Sequence, residues 1–349
     1  MVTDNNITIL GSGIALGVYI PALRLRDLLK SKGYAAQVII LEQLFGSDVL
    51  KKLDINKKMF HNNFRIAEKA HQIAGDMSAY CVDELKEKLF LTWKKEKIRK
   101  FIVFSGYWMP LIDDFSKVNK LELIVDCIHM DAVMSNSWKG QKELLGNANQ
   151  IWPFDFDNNL VSSFIPYNNK ISYASEGQGQ LVLHGGGWGM GLLKDAYVQV
   201  SKKDYNIFRV AYNNDEYEQF LNETDNVYYM DACWKPWENL KYPPIYKGRS
   251  ESSLDEMLAE NIAIISKPGG GTLMDSISLG KPIVFLSPLS DYEKKNAELW
   301  ERLRFGISLE KWRETGYSMN ILQEMKNNLL DYRLKLKGID EFLCSLKQV

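Results

Sequence analysis

The sequence predicts an α/β protein built on parallel, doubly wound sheets, and three observations carry that expectation. Short continuous apolar runs alternate with helical patterns, as for strands buried on both faces of a parallel sheet. The alternation lapses between Ile151 and Gln180 and then restarts. Each half opens with a strand that runs into a glycine turn, Gly11-Ser12-Gly13 in the first and Gly185-Gly186-Gly187 in the second. At 349 residues the chain suits two domains of about 150–200 residues. We expect them at 1–165 and 166–349.

In chain order, Ile7-Thr8-Ile9-Leu10 is the first strand. A helical pattern follows from Pro21 to Lys32, with Leu23, Leu25, Leu28 and Leu29 on one face and Gly33 as its stop. Val38-Ile39-Ile40-Leu41 is a second strand, and a long, highly charged helical region is expected from Lys57 to Lys97. Phe101–Phe104 and Leu121–Val125 are further strands. The polar stretch with Asn158-Asn159 and Asn168-Asn169 reads as the inter-domain linker. Beyond it lie Leu181–Leu183, a helix near Gly191–Ser201, and strands at Ile207–Val210, Val227–Met230, Ala263–Ile265 and Ile283–Leu286. The sequence names no packing partner for the last helix, Asn320–Lys347; one place for it is back on the N-terminal domain.

Hydrophobic residues make up 46% and charged residues 25%, as in a globular protein, and the net charge is −1. Without a long basic block, nucleic acid is not an expected partner. The four cysteines are scattered with no C-x-x-C pair, which fits reduced thiols rather than a disulfide or zinc framework. The N-terminus lacks the charged-then-apolar order of a signal peptide, and no run approaches the roughly 18–20 apolar residues of a membrane span. The expected location is therefore the cytoplasm. Nine tryptophans leave a peripheral membrane contact open, and the oligomeric state is unread. His61 and His71 have no metal-ligand spacing, and no H-E-x-x-H or paired-Asp cluster exists, so neither a metal nor a resident cofactor is expected.

The most informative stretch is Ser266-Lys267-Pro268-Gly269-Gly270-Gly271-Thr272-Leu273-Met274-Asp275. It reads as strand, glycine turn and helix start. Glycines there let the backbone approach a ligand closely, and the exposed amides of a helix start attract anions. Asp275, about one turn in, is placed for a sugar hydroxyl, so a diphosphate joined to a ribose fits. Downstream, Ser287–Ala297 is polar yet follows a buried strand, where the ligand crevice of an open α/β sheet lies.

Ser266–Ala297 resembles the donor-sugar-nucleotide signature of GT-B glycosyltransferases, the UDP-glycosyltransferase and MurG-type groups. Those read roughly H-x-G-x-x-S-x-x-E, then a G-x-P turn, then P-x-x-x-[DE]-Q-x-x-N-A. Lys267 stands at the phosphate-contacting His, Gly269 at the glycine, with Gly270 and Gly271 beside it, and Thr272 at the hydroxyl residue. Asp275 stands at the ribose-binding acid and Glu293 at the Gln that contacts the donor sugar, while Asn296-Ala297 match the final pair. The resemblance implies two Rossmann-like domains facing across a cleft. It also implies metal-independent transfer of a hexose from a UDP- or dTDP-sugar, held by the C-terminal half, to a small-molecule, lipid or peptide acceptor held by the N-terminal half.

The turn at Gly186, Gly187 and Trp188 would then form a second wall against the diphosphate. Tyr246 or Arg249 could stack on the base; equally, Ser252-Ser253 ahead of Leu254 could simply cap a helix. On the acceptor side, Gly13 and Val18 border the site, and Val18 stands near the place where many members carry a catalytic His. A base must come from elsewhere, and His129 and Asp131, in Val125-Asp126-Cys127-Ile128-His129-Met130-Asp131, are the candidates. Trp108 either lines an acceptor pocket or packs in the core. Three other readings stay open: a nucleotide-sugar epimerase, a non-catalytic sugar-nucleotide sensor, and an NAD(P)- or flavin-dependent oxidoreductase using Gly11, Gly13 and Glu42.

Overall fold

The computed structural model describes residues 6–14, 16–72, 75–146, 148–167, 180–203, 205–231, 234–248 and 250–346. Its first sheet contains β1 (Asn6–Gly11), β2 (Ala35–Ile40), β3 (Lys100–Val103), β4 (Ile124–Ile128) and β5 (Asn149–Ile151). All five are parallel, in the order β2-β1-β3-β4-β5. Apolar residues dominate these strands because helices cover the sheet: α1 (Tyr19–Ser31) between β1 and β2, and α5 (Met109–Asn119) between β3 and β4. The charged helical region expected from Lys57 to Lys97 takes in the end of α2 (Ser47–Asn62), α3 (Phe64–Gln72) and α4 (Asp83–Lys95). Asn63 leaves α2 in extended backbone, which ends the helix and turns the chain into α3. A one-turn helix, α6 (Asn136–Lys139), lies between β4 and β5.

The expected linker carries structure of its own. β6 (Phe154–Asp155) and β7 (Leu160–Val161) form a small hairpin, and β8 (Ser163–Phe164) follows. Residues 168–179, including Asn168-Asn169, lie outside the described residues.

The second sheet has eight strands: β9 (Gln180–Leu183), β10 (Asn206–Ala211), β11 (Val227–Met230), β12 (Ile245–Lys247), β13 (Ser250–Ser252), β14 (Ala263–Ser266), β15 (Ile283–Phe285) and β16 (Gly306–Ser308). Their order is β13-β12-β11-β10-β9-β14-β15-β16, parallel except that β12 runs antiparallel to both of its neighbours, β11 and β13. Its helices are α7 (Leu193–Val200), α8 (Asn214–Leu221), α9 (Leu254–Ala259), α10 (Gly270–Leu279), α11 (Asp291–Arg302), α12 (Leu309–Glu314) and α13 (Met319–Arg333). Gly280 closes α10 in the left-handed region, at φ 67°, which explains the glycine stop before Pro282.

Chain order reverses direction once in each sheet, between β1 and β3 in the first and between β9 and β14 in the second. A crevice opens at the carboxyl ends of strands at such a switch point. The largest buried apolar cluster joins the two halves: Tyr19, Ile20 and Leu23 of α1 belong with Met257, Leu258 and Leu273 of α9 and α10.

The end of the chain splits its allegiance. α13 packs on α10, where Arg333 Nη1 donates to the Ser278 carbonyl at 2.7 Å, and its Tyr332 hydroxyl bonds the Val161 backbone of β7, accepting from the amide at 3.1 Å and donating to the carbonyl at 3.2 Å. The segment after it returns to the N-terminal half. β17 (Lys337–Gly338) pairs with β8, Lys32 bridges to Asp340, and the amides of Cys344 and Ser345 both donate to the Asp126 carboxylate at 2.8 Å.

Candidate active site

The carboxyl ends of the switch-point strands converge on one cavity of about 570 Å³. The first sheet supplies Ser12, Leu16, Gly17 and Val18 after β1, Ser105 and Tyr107 after β3, and Met130 and Asp131 after β4. The second supplies His184, Gly186, Gly187 and Trp188 after β9, and Lys267 with Gly269–Thr272 after β14. α2 and α3 add Leu53, Phe60 and His71, while Leu289, Tyr292 and Glu293 close the far side.

The glycines after β14 are required by the opposite domain itself. A Cβ on Gly270 would run into the Met130 carbonyl, and one on Gly271 would lie 3.1 Å from the Gly17 Cα. Likewise a Cβ on Gly187 would collide with Leu16, a residue held at φ 57°. Close approach was expected from a ligand; here the N-terminal backbone makes it, and the cavity is what remains between the turns.

The polar groups fall into three sets. Lys267 Nζ pairs with Glu293 Oε1 at 2.7 Å, both nearly buried, and Glu293 Oε2 accepts the Leu289 amide. Glu293 therefore holds the lysine over the start of α10. Asp275 Oδ1 accepts from Arg24 of α1 and, at 3.0 Å, from the Tyr167 hydroxyl; Arg24 Nη2 also reaches Asp255 Oδ1 at 2.6 Å. Asp131 Oδ1 accepts from Asn296 Nδ2 at 2.8 Å and lies against the Gly270 amide at the α10 N-terminus. Burial pushes the Asp131 carboxyl up to about 7; hydrogen bonds from Asn296 and Gly270 only partly offset it.

The segment around His129 is divided. Alternation along β4 and the turn after it sends its three polar side chains to different places. Asp126 takes the C-terminal amides and Asn149 Nδ2. The His129 ring stacks on Trp152 at 3.9 Å and bonds Gln150 through Nε2 at 2.7 Å, away from the cavity. Burial holds it down near 4. Of the two candidate bases, only Asp131 faces the cavity; His129 is corrected to a packing role.

Four further expectations change. Asn296 is fully buried, with Oδ1 accepting the Ala132 amide at 2.7 Å and Nδ2 donating to Pro268 O at 2.9 Å as well as to Asp131. It stitches the domains together and does not line the cavity. Tyr246 sits mid-strand in β12 beside Tyr229, away from the cavity, and Ser253 with Glu256 forms a capping box at α9. Arg249 lies outside the described residues. Trp108 is fully buried and donates to the Gly11 carbonyl at 2.7 Å; its neighbour Tyr107 reaches the cavity instead. Gly13 gives its amide to Glu42 Oε2 at 2.7 Å and does not line the cavity, whereas Val18 does. Glu42, fully buried, also accepts the Ser12 hydroxyl, so its carboxylate is consumed under the first turn and is not presented to a ribose.

His71 and Tyr292 were missed, and His184, in sequence at least as much a core or loop histidine as a functional one, lines the cavity. His71 Nε2 meets the Tyr292 hydroxyl at 2.7 Å across the cleft, and both line the cavity. His184 is 3% exposed; its Nδ1 accepts the Gly186 amide, which leaves the proton on Nε2, an atom with no hydrogen-bond partner among the described residues. His71 and Tyr292 come from different domains, and no local signal links them.

No family model matches the chain. Two processive diacylglycerol beta-glucosyltransferases align with part of it: that of Bacillus pumilus (strain SAFR-032) at 32% identity over 89 residues, and that of Bacillus subtilis (strain 168) at 30% over 88. The matches span 24% and 23% of this chain and about a quarter (23%) of each relative. Solved structures align nearly end to end. The spinosyn rhamnosyltransferase SpnG complexed with thymidine diphosphate superposes at a TM-score of 0.60 and 11% identity, over 98% of this chain and 100% of that one. The glycosyltransferase VinC in complex with dTDP also gives 0.60 at 11%, over 97% and 99%, and Acinetobacter baumannii MurG gives 0.53 at 13%, over 96% of both. The chain thus has the GT-B fold of these glycosyltransferases, two Rossmann-like domains facing across the cleft that holds the cavity.

Proposed function

We propose that this chain is a glycosyltransferase that moves a sugar from a nucleoside-diphosphate donor, a UDP- or dTDP-sugar, to an acceptor hydroxyl. The observation that carries the reading is the convergence of both switch points on one cavity, with Lys267 and the α10 N-terminus on its wall. The donor diphosphate is assigned to that wall, where the helix dipole and Lys267 meet the charge that grows on the leaving group. This supply of positive charge supports transfer without a metal. Thr272, the Gly186–Trp188 turn and His184, whose Nε2 has no hydrogen-bond partner among the described residues, line the same cavity from the C-terminal half.

Asp131 is the proposed base. In an inverting displacement the acceptor oxygen bonds to the anomeric carbon, the bond from that carbon to the diphosphate oxygen breaks, and the hydroxyl proton passes to the Asp131 carboxylate. A carboxyl titrating near 7 suits a proton acceptor at neutral pH. The acceptor is assigned an apolar body, because Leu53, Phe60, Ala67, Met77 and Tyr80 line its side. The glucosyltransferases that share part of the sequence are named for diacylglycerol, and a lipid of that class is the first acceptor to try. With such an acceptor the enzyme would meet a membrane surface peripherally, from the cytoplasm; no described helix is long and apolar enough to cross one.

The test is release of nucleoside diphosphate from UDP- and dTDP-sugars with dispersed diacylglycerol, in buffer containing EDTA. Acceptor-dependent release is expected. Thermal stabilisation by none of the nucleotides, together with no release, would overturn the reading. The burial of Glu42 in the first turn argues against the dinucleotide alternative.

A further inference from the structure

We infer that Arg24 is a positioning residue for ribose recognition: reaching across from the N-terminal domain, it sets the Asp275 carboxylate so that Oδ2 is presented to a ribose hydroxyl of the donor. The inference rests on the donor-site reading above. Asp275 stands on the cavity wall with its side chain 10% exposed. Arg24 Nη1 and the Tyr167 hydroxyl both donate to Oδ1, while Oδ2 receives no hydrogen bond from a described residue. The guanidinium is itself held from three directions: Nη2 on Asp255, its plane 4.2 Å over the Tyr167 ring, and α1 packed on α10. A carboxylate normally rotates through a broad, twofold torsion, and two donors on one oxygen remove that freedom.

Charge supports the same direction. One guanidinium faces two carboxylates, so the cluster keeps net negative charge, which favours a hydroxyl donor and repels phosphate. The nucleotide is thereby oriented, ribose at Asp275 and diphosphate at Lys267. Because Arg24 belongs to one domain and Asp275 to the other, the ribose subsite is completed by the contact between them. An ion pair serving packing alone would have no reason to leave the second oxygen of Asp275 open on a cavity.

The experiment is calorimetric titration of the full chain with UDP, 2′-deoxy-UDP and 3′-deoxy-UDP, and with dTDP and its 3′-deoxy form. In the wild type, removing the hydroxyl read by Asp275 should weaken binding about ten- to a hundredfold. Asp275→Asn should shrink that penalty, and so should Arg24→Met combined with Asp255→Asn, to under about threefold. Arg24→Lys and Tyr167→Phe, which disturb the fold less, should give intermediate penalties. If the Arg24 variants weaken every ligand by one common factor and leave the hydroxyl penalty intact, Arg24 is only structural and the inference falls. A wild type that binds the nucleotides with no hydroxyl penalty overturns the inference and leaves the donor site standing. A wild type that binds none of them overturns the donor-site reading itself.

Discussion

The two halves place similar glycine turns at the ends of similar strands, yet treat them differently. Under the first turn the protein supplies its own anion. Glu42 accepts Ser12 Oγ and the Gly13 amide, is fully buried, and has its carboxyl pushed up by burial against those hydrogen bonds. At the second turn, the start of α10 faces the cavity, and the carboxylate that approaches it, Asp131, comes from the other domain. Both turns thus meet a carboxylate, but Glu42 and Gly13 lie off the cavity, whereas Asp131, Lys267 and the start of α10 all line it. That contrast assigns the nucleotide to the C-terminal turn and the reacting hydroxyl to the N-terminal side.

The contrast can be broken most directly at Asp131. Asp131→Asn should lower kcat about 10²- to 10⁴-fold, the range for loss of a general base, with donor affinity changed little. In the wild type, rate should rise with pH through about 7, because the carboxyl is protonated and inert below that value and accepts protons above it. The same shift has a stability consequence. The folded carboxyl holds its proton to higher pH than the unfolded one near 3.9, so its contribution to stability declines as pH rises from about 4 to about 7. A thermal melt of Asp131→Asn that gains on the wild type at pH 8 but not at pH 4 would show it.

Lys267→Met comes next, with an expected loss of about 10²- to 10³-fold in kcat/KM for the donor, measured by nucleotide release. A smaller and different effect is expected from Glu42→Gln. Melting should show about 1–3 kcal/mol of destabilisation from the disturbed buried hydrogen bonds, while nucleotide affinity stays within about twofold. If Glu42→Gln instead abolished nucleotide binding and Lys267→Met did not, the assignment of the two turns would be reversed. The smallest effects belong to His129→Phe and Tyr246→Phe. Both residues lie off the cavity, and kcat/KM should change less than about threefold in steady-state assays.

Much of the architecture was legible in the residues. Continuous apolar runs such as Phe101–Phe104 and Ile283–Phe285 can only be buried on both faces, and each is a parallel strand. The spacing of Lys267, Gly269 and Asp275 is local, so strand, turn and helix follow from it, and the GT-B fold was readable from the same stretch. The helical region read at 57–97 is helical in three pieces, and the break at Asn63 was not legible because charge and helical periodicity continue past it while the backbone does not. Within the candidate site, reading failed wherever a partner comes from the other domain. Asn296 looks like a ligand residue in sequence, but Ala132 and Asp131 already satisfy it. His71 carried no signal until α3 met Tyr292.

The sequence by itself determined two Rossmann-like sheets, a glycine turn after a strand in each, and, in the second, Lys267 just ahead of the helix that carries Asp275 about one turn in. Those features depend on near neighbours and on periodicity. Only the tertiary structure decided which turn faces the cavity, which acid faces the cleft and what holds Asp275. Each of these depends on a contact between residues as far apart as Arg24 and Asp275 or Asp131 and Gly270, and the free energy of a buried charge is set by what the other domain brings to it.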